Sequence, residues 1–341
     1  MLNGHRANSA PAPGWQTLLV AGLFSFVTSI TPTAAQNAGA DELLSAVVQL
    51  KTYINPDGRT VKGLGQQRSG SGIVIDENGL ILTIGYLMVE AHSAEVLTNS
   101  GRKSAAEVVG YDHDTGFGLL RAAEPLKVKP LVLGKSGDLK EQDQVLAASF
   151  GGRAGIAPAY VISLREFAAS WEYLIPSAIF TAPAHSEWSG AALVSRDGKL
   201  VGVGSLVVGD VTGQGKNLPG NMYVPIDLLP PIMTDLIAKG RAGGPARPWL
   251  GLNADEIRGR IFVSRVTDDG PAQQAGVHAN DIIVAVNGEP PRSLADFYRK
   301  VWSLGSAGAS VPLDLLQDSG VKRIDVKSIN RLDHLRLKST F

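Results

Sequence analysis

Between residues 71 and 225 the chain is cut into short apolar runs separated by turn residues, and antiparallel β-structure is what such a pattern builds. Ser71-Gly72-Ile73-Val74-Ile75 runs into Asp76-Glu77-Asn78-Gly79, and Leu80-Ile81-Leu82-Thr83 leaves it. That is a hairpin signal, because Asn-Gly reaches the positive φ that a tight reversal needs. Further strands are expected near Ala94–Leu97, Ser104–Tyr111, Gly118–Arg121, Gln144–Ser149, Ala159–Leu164, Ile179–Thr181, Ala191–Val194, Leu200–Val208 and Met222–Pro225. Many short strands with Gly, Asp and Asn turns predict one or two antiparallel barrels. Asp41 to Leu50 fits a helix, with Leu43, Leu44, Val47 and Val48 at helical spacing, or a first strand. Ile226 to Lys239 reads as a helix stopped by Gly240.

Arg241-Ala242-Gly243-Gly244-Pro245-Ala246-Arg247-Pro248 reads as a linker (241–248) between a first unit over 41–240 and a second over 249–330. The second unit opens with Trp249-Leu250-Gly251-Leu252 and continues with an expected strand at Ile261–Val266 and a small helix at Pro271–Ala275. A strand at Ile282–Val286 then ends in Asn287-Gly288, a longer helix covers Ser293 to Ser303, and strands at Val311–Leu316 and Val321–Val326 close it. The order suits a small, partly open β-barrel flanked by two helices.

Composition sets the limits of function. With 341 residues and 44% hydrophobic content the chain can bury sizeable cores, and its length favours two domains. Lys plus Arg equals Asp plus Glu at 32 each, so no global field favours nucleic acid or an anionic membrane. Cysteine is absent, which excludes disulfides, thiol catalysis and cysteine metal sites. At the amino terminus His5 and Arg6 precede an apolar run from Thr17 to Ile30, followed by Thr33-Ala34-Ala35. This predicts a signal peptide over 1–35 cleaved near Ala35, hence a periplasmic or secreted protein; an uncleaved anchor is the alternative.

The stretch Ser186-Glu187-Trp188-Ser189-Gly190-Ala191-Ala192-Leu193-Val194 sets a serine in a tight turn of small residues, ahead of a strand, an Asp197-Gly198 hairpin and a return strand. Together with Gly70-Ser71-Gly72-Ile73-Val74-Ile75, Gly79-Leu80-Ile81-Leu82-Thr83 and Val109-Gly110-Tyr111-Asp112, it resembles the protease domain of the HtrA/Deg family. The second unit is similar to that family's PDZ domain through Arg247-Pro248-Trp249-Leu250-Gly251-Leu252, Gly270-Pro271-Ala272-Gln273-Gln274-Ala275-Gly276-Val277 and Asn280-Asp281-Ile282-Ile283-Val284-Ala285-Val286-Asn287-Gly288. The resemblance implies a mainly β fold, a chymotrypsin-like double β-barrel followed by a small PDZ-type α+β barrel. It also implies a serine endopeptidase of protein quality control, trimers of the chain, and a peptide carboxylate received by Trp249, Leu250, Gly251 and Leu252.

The departures from that pattern concern the chemistry. Members of the family carry Thr-Asn-x-His-Val-Val after the first hairpin, the histidine being the general base; here Thr83-Ile84-Gly85-Tyr86-Leu87-Met88 puts Tyr86 at that position. A phenol with an ordinary pKa near ~10 is a poor base at neutral pH. The aspartate of Thr-Asp-Leu-Ala-Val-Leu is replaced by Gly116 in Thr115-Gly116-Phe117-Gly118-Leu119-Leu120. Ser189 is retained, but the glycine two residues before it becomes Glu187, a carboxylate of the wrong sign beside a developing oxyanion. Tyr86, Glu187 and Trp188 are expected to fill the vacated cleft. Among other histidines, His92 falls on a following turn, His113 lies three residues before Gly116, and His185 lies four before Ser189. A tight turn projects neighbouring side chains apart, so a His185–Ser189 pair is not expected. Asp112-His113-Asp114 reads as a surface loop rather than a metal site, and Gly63-Leu64-Gly65 and Gly151-Gly152 read as turns, so neither metal nor cofactor is called for.

Two functions compete at this point. The first is a catalytically inactive protein that binds polypeptides or protein C-termini through its PDZ unit. The second is an active serine endopeptidase using Ser189 with an irregular base.

Overall fold

The computed structural model describes residues 41–318 and 320–337, so the expected signal segment lies outside the described residues. Alternation of buried and exposed side chains builds most of the strands; β5 (Lys103–Tyr111) buries Ser104, Ala106 and Gly110 while Lys103, Ala105 and Glu107 face out. Six strands close the first barrel in the order β1 (Val47–Ile54), β2 (Gln67–Val74), β3 (Leu80–Ile84), β6 (Phe117–Ala122), β5 and β4 (Ala91–Leu97). The ambiguous segment 41–50 takes both forms, a helical turn over 41–45 and then β1, which pairs with β2 and β4. At the first hairpin Ile75 N–H donates to Leu80 O at 2.9 Å, Leu80 N–H to Asp76 Oδ1 at 2.7 Å, and Gly79 adopts φ +75°. A short helix α1 (Val61–Leu64) precedes β2.

The second barrel closes as β10 (Ala192–Val194), β11 (Leu200–Val208), β12 (Gly220–Pro225), β9 (Tyr173–Ala182), β8 (Ile156–Ala169) and β7 (Gln144–Ala148). Helix α2 (Pro230–Lys239) follows, ended as expected by Gly240 at φ +71°, whose N–H reaches Leu236 O. The third unit is a five-stranded sheet in chain order: β13 (Leu252–Ile257), β14 (Arg260–Val266), β15 (Ile282–Val286), β16 (Ser310–Gln317) and β17 (Gly320–Lys327). It carries α3 (Pro271–Gln274), α4 (Leu294–Ser303, capped by the Ser293 hydroxyl accepting from Asp296 N–H) and, after β17, α5 (Arg331–His334).

The second barrel sends one hairpin beyond its own wall. The β8–β9 ladder continues to the pair Ala169–Tyr173, and its reversal is made by Ser170, Trp171 and Glu172. That tip reaches the third unit, whose hydrophobic core includes Leu174. The sequence hid the turn, because Glu166-Phe167-Ala168-Ala169-Ser170-Trp171-Glu172 holds no Gly, Pro, Asn or Asp. Among the described residues no helix is long and apolar enough to cross a membrane.

Candidate functional site

Ser189 sits at the seam of the two barrels. Its turn closes with Ala191 N–H on Trp188 O at 3.0 Å, while Ser71 N–H of β2 donates to Ser189 O at 2.8 Å. Gly190 takes φ +73°, and a Cβ there would lie 2.0 Å from Ser71 O, so retention of this glycine follows from the close approach of β2. The seam therefore demands Gly190 whether or not any bond is cut, while position 189 contributes to it only a backbone carbonyl.

Tyr86 stands in the single turn of 3₁₀ helix at Gly85–Leu87 that follows β3. Its hydroxyl lies 2.8 Å from Ser189 Oγ and donates to Ser205 O at 2.9 Å. That carbonyl is free because β11 bulges between Gly204 and Leu206, removing Ser205 from the ladder. A phenol has one proton. With it committed to Ser205 O, the remaining bond has Ser189 Oγ–H donating to the phenol oxygen. Burial pushes the Tyr86 phenol up to about 12, and hydrogen bonds from Ser189 and Trp188 only partly oppose this. At neutral pH Tyr86 thus holds its proton and orients the serine hydroxyl without being able to deprotonate it.

The aspartate position is equally changed. Gly116 lies at φ +81°, its carbonyl accepts from Gly85 N–H at 2.6 Å, and a Cβ built on it would sit 3.0 Å from Tyr173 Oη. Tyr173 Oη itself donates to Thr115 O at 2.7 Å. A buried hydroxyl thus occupies the space beside Gly116, the position expected to correspond to the family's aspartate.

Among the described residues no imidazole is hydrogen-bonded to Ser189. His185 Nε2 meets Ser149 Oγ at 3.2 Å, and burial lowers its pKa, with Glu187 pulling weakly the other way. His92 is exposed on β4. His113 is half-buried at the junction with the third unit, where Nδ1 meets Tyr111 Oη at 3.0 Å and Nε2 meets Arg331 Nη1 at 2.5 Å; desolvation and that guanidinium hold it well below its ordinary pKa. Its neighbours are structural: Asp112 Oδ2 caps Thr115 through N–H and Oγ1 at 2.8 and 2.6 Å, and Asp114 pairs with Arg247 at 3.1 Å. Among the described residues no group of three or more His, Asp or Glu is arranged to hold a metal ion. Of the three residues expected to fill the cleft, Tyr86 does so; Trp188 is half-buried and Glu187 is exposed, because the turn directs it to solvent.

The third unit's loop has its donors aligned. Gly251 at φ +74° lets the amides of Leu250, Gly251 and Leu252 converge, an arrangement that receives carboxylates. A carboxylate is already there: Glu172 Oε2 accepts from Leu250 N–H at 2.9 Å, and Oε1 from Gly251 and Leu252 at 2.8 and 3.2 Å. Burial pushes the Glu172 carboxyl up to about 7, against the pull of those amides and of Arg331. Trp249 does not join this nest. Its N–H donates to Ile329 O at 3.0 Å and its ring packs on His334 with centroids 4.8 Å apart. Glu172 is the residue that sequence reasoning missed; nothing in a lone acidic residue between aromatic neighbours marks it.

Residues 70–203 match the model of the trypsin-like peptidase domain, and residues 248–328 match that of the PDZ domain. The chain thus carries a trypsin-like peptidase domain followed by a PDZ domain, the pair that the HtrA/Deg family combines. A probable periplasmic serine endoprotease, DegP-like, of Pseudomonas fluorescens is 26% identical over 288 residues, covering 80% of this chain and 59% of that protein. The periplasmic serine endoprotease DegP of Escherichia coli is 25% identical over 291 residues, 79% of this chain and 59% of that one. The chain thus spans under two thirds of the length of these relatives. Among solved structures, the HtrA-type protease AlgW with a decapeptide superposes with a TM-score of 0.52 at 21% identity, covering 86% of this chain and 98% of that one. The serine endoprotease from Yersinia pestis gives 0.50 at 24% identity, over 88% and 98%. These likenesses bear out the chymotrypsin-like and PDZ folds.

Proposed function

We propose that this HtrA/Deg-like chain is a pseudoprotease of the bacterial envelope, periplasmic or secreted, which holds polypeptides through its PDZ domain as a scaffold, regulator or chaperone-like partner. The observation that carries the reading is the Tyr86 hydroxyl at 2.8 Å from Ser189 Oγ, donating its own proton to Ser205 O. A serine hydroxyl without a base is a weak nucleophile, and loss of a triad member removes most of the rate enhancement. Gly116 supplies no carboxylate to orient a base, and His185 is turned to Ser149. In the PDZ domain the amides of Leu250, Gly251 and Leu252 are the expected receptor for a chain end, and assembly as a homotrimer belongs to the same proposal.

The second reading, an active serine endopeptidase, is favoured by retention of Ser189 and by the relatives of Pseudomonas fluorescens and Escherichia coli being serine endoproteases, the former a probable one. Digestion of β-casein by the purified protein and by Ser189→Ala, with fluorophosphonate labelling in parallel, separates the two. The proposal expects equal background from both proteins and no labelling of Ser189. Serine-dependent cleavage establishes the second reading instead.

A further inference from the structure

The PDZ groove of this chain is filled by the chain itself. Besides the Glu172 carboxylate in the amide nest, Ala254 N–H on β13 donates to Ser170 O at 2.9 Å, the bond that an added β-strand would make two residues away from its terminal carboxylate. Helix α4 holds the opposite side: Tyr298 Oη donates to Ala169 O at 2.7 Å and accepts from Glu172 N–H at 3.3 Å, and Arg299 pairs with Glu166. Leu174, 8% exposed, contributes its side chain to the PDZ core. From outside the groove Arg331 Nη1 donates to Trp171 O at 2.9 Å.

The tip thus presents what a bound polypeptide end presents: a carboxylate to the nest, a backbone carbonyl to the neighbouring strand and an aliphatic side chain to the core. Glu172 does so at φ +59°, a left-handed conformation that a glutamate adopts at a cost, and the surrounding contacts hold it there. Ordinary turn chemistry would put Gly or Asn at that position of a three-residue reversal.

We propose that the β8–β9 hairpin tip is a built-in ligand of the PDZ groove, so that an external polypeptide ending in an aliphatic residue with a free carboxylate binds by displacing Glu172. This rests on the reading that the PDZ domain holds chain ends, and it makes that site conditional: the protein accepts a partner only in the fraction of molecules whose hairpin has withdrawn.

The test uses the full chain carrying Ser189→Ala, with and without Glu172→Ala, and a fluorescein-labelled alanine-based decapeptide ending in Leu. Fluorescence polarisation gives the affinity, and hydrogen exchange follows the amides of Leu250, Gly251 and Leu252. Removing the internal competitor is expected to tighten peptide binding at least ~10-fold, as the binding-competent fraction rises. The same substitution is expected to deprotect those three amides, and a C-terminally amidated peptide is expected to gain nothing. Equal affinity in the two proteins, absence of binding to both, or unchanged amide protection overturns the proposal. Glu172→Gln, which keeps the volume and removes the charge, is the second variant and is expected to shift affinity in the same direction. Because Ser189 is absent throughout, the result is independent of whether the native protein cleaves, which fluorophosphonate labelling decides separately.

Discussion

At the scale of single residues, the site at the barrel seam is occupied by a hydroxyl pair. Replacing Tyr86 with histidine supplies an imidazole near Ser189 but no carboxylate to orient it, so Tyr86→His is expected to leave β-casein digestion at the Ser189→Ala background. Adding Gly116→Asp does not complete the triad. Position 116 lies at φ +81° with Tyr173 Oη 3.0 Å from where a Cβ would stand, and a non-glycine residue in this conformation costs about 1–3 kcal/mol. Gly116→Asp is expected to lower the urea midpoint accordingly, and the double variant to stay far below the activity of a working protease. Tyr86 also has a signature in alkali. Its phenol is raised from 10 to about 12 in the folded protein, so the folded state retains the proton after the unfolded chain has lost it. The stabilisation is present below pH 10 and disappears as pH climbs through about 12, a difference of roughly 3 kcal/mol at about 1.4 per pH unit. Tyr86→Phe is expected to make that part of the stability–pH profile shallower, leaving the parts due to Tyr111, Tyr173, Tyr223 and Tyr298, whose phenols burial also pushes up. Chemical denaturation at a series of pH values between about 9 and 12 measures the difference, and parallel profiles for the two proteins refute it. The expectation that Tyr86 and Gly116 stand where the family has histidine and aspartate came from the motifs around them. The committed proton of Tyr86 was not legible there, because it depends on a bulge at Ser205 that brings a carbonyl from a distant strand.

At the scale of elements, legibility followed turn chemistry. The β2–β3 hairpin was readable through Asp76-Glu77-Asn78-Gly79, and helix α2 through its Gly240 stop. Strand β1 was ambiguous because Leu43, Leu44, Val47 and Val48 suit a helix; pairing with β2 and β4 in the closed barrel decides it. The β8–β9 tip escaped because Ser170, Trp171 and Glu172 make a reversal that local propensity does not favour, and tertiary contacts impose it. This element belongs to two cores at once. Leu174 stands on a barrel strand yet is buried with Leu250, Leu252 and Phe297 of the PDZ domain. Leu174→Ala is therefore expected to cost about 2–4 kcal/mol by opening a cavity, and to loosen the PDZ domain more than the barrel that carries the residue. Hydrogen exchange resolved by segment checks this: faster exchange in β13 and α4 than in β10–β12 is the expected pattern, and uniform acceleration refutes it.

At the scale of the whole molecule, the question is which contacts keep the PDZ domain against the barrels. Ion pairs cross the junction at Arg59–Asp269 (3.1 Å), Lys62–Asp268 (3.4 Å) and Arg336–Asp57 (2.6 Å), each with a partner that is half or more exposed. Exposed pairs of this kind contribute about 0–1 kcal/mol and are screened by salt. The buried contacts are of another class: Glu172 in its amide nest, Tyr298 on Ala169, Arg331 on Trp171 and Leu174 in the PDZ core. Screening acts over the Debye length, roughly 4 Å at about 0.5 M salt, and Glu172, Tyr298, Ala169 and Leu174 are largely removed from solvent. Raising NaCl to that level is therefore expected to leave the radius of gyration and the tryptic sensitivity of the linker over 241–248 unchanged, while Glu172→Ala at low salt increases both. An interface held by its surface charges would respond in the opposite order, loosening with salt and staying closed when a single buried carboxylate is removed.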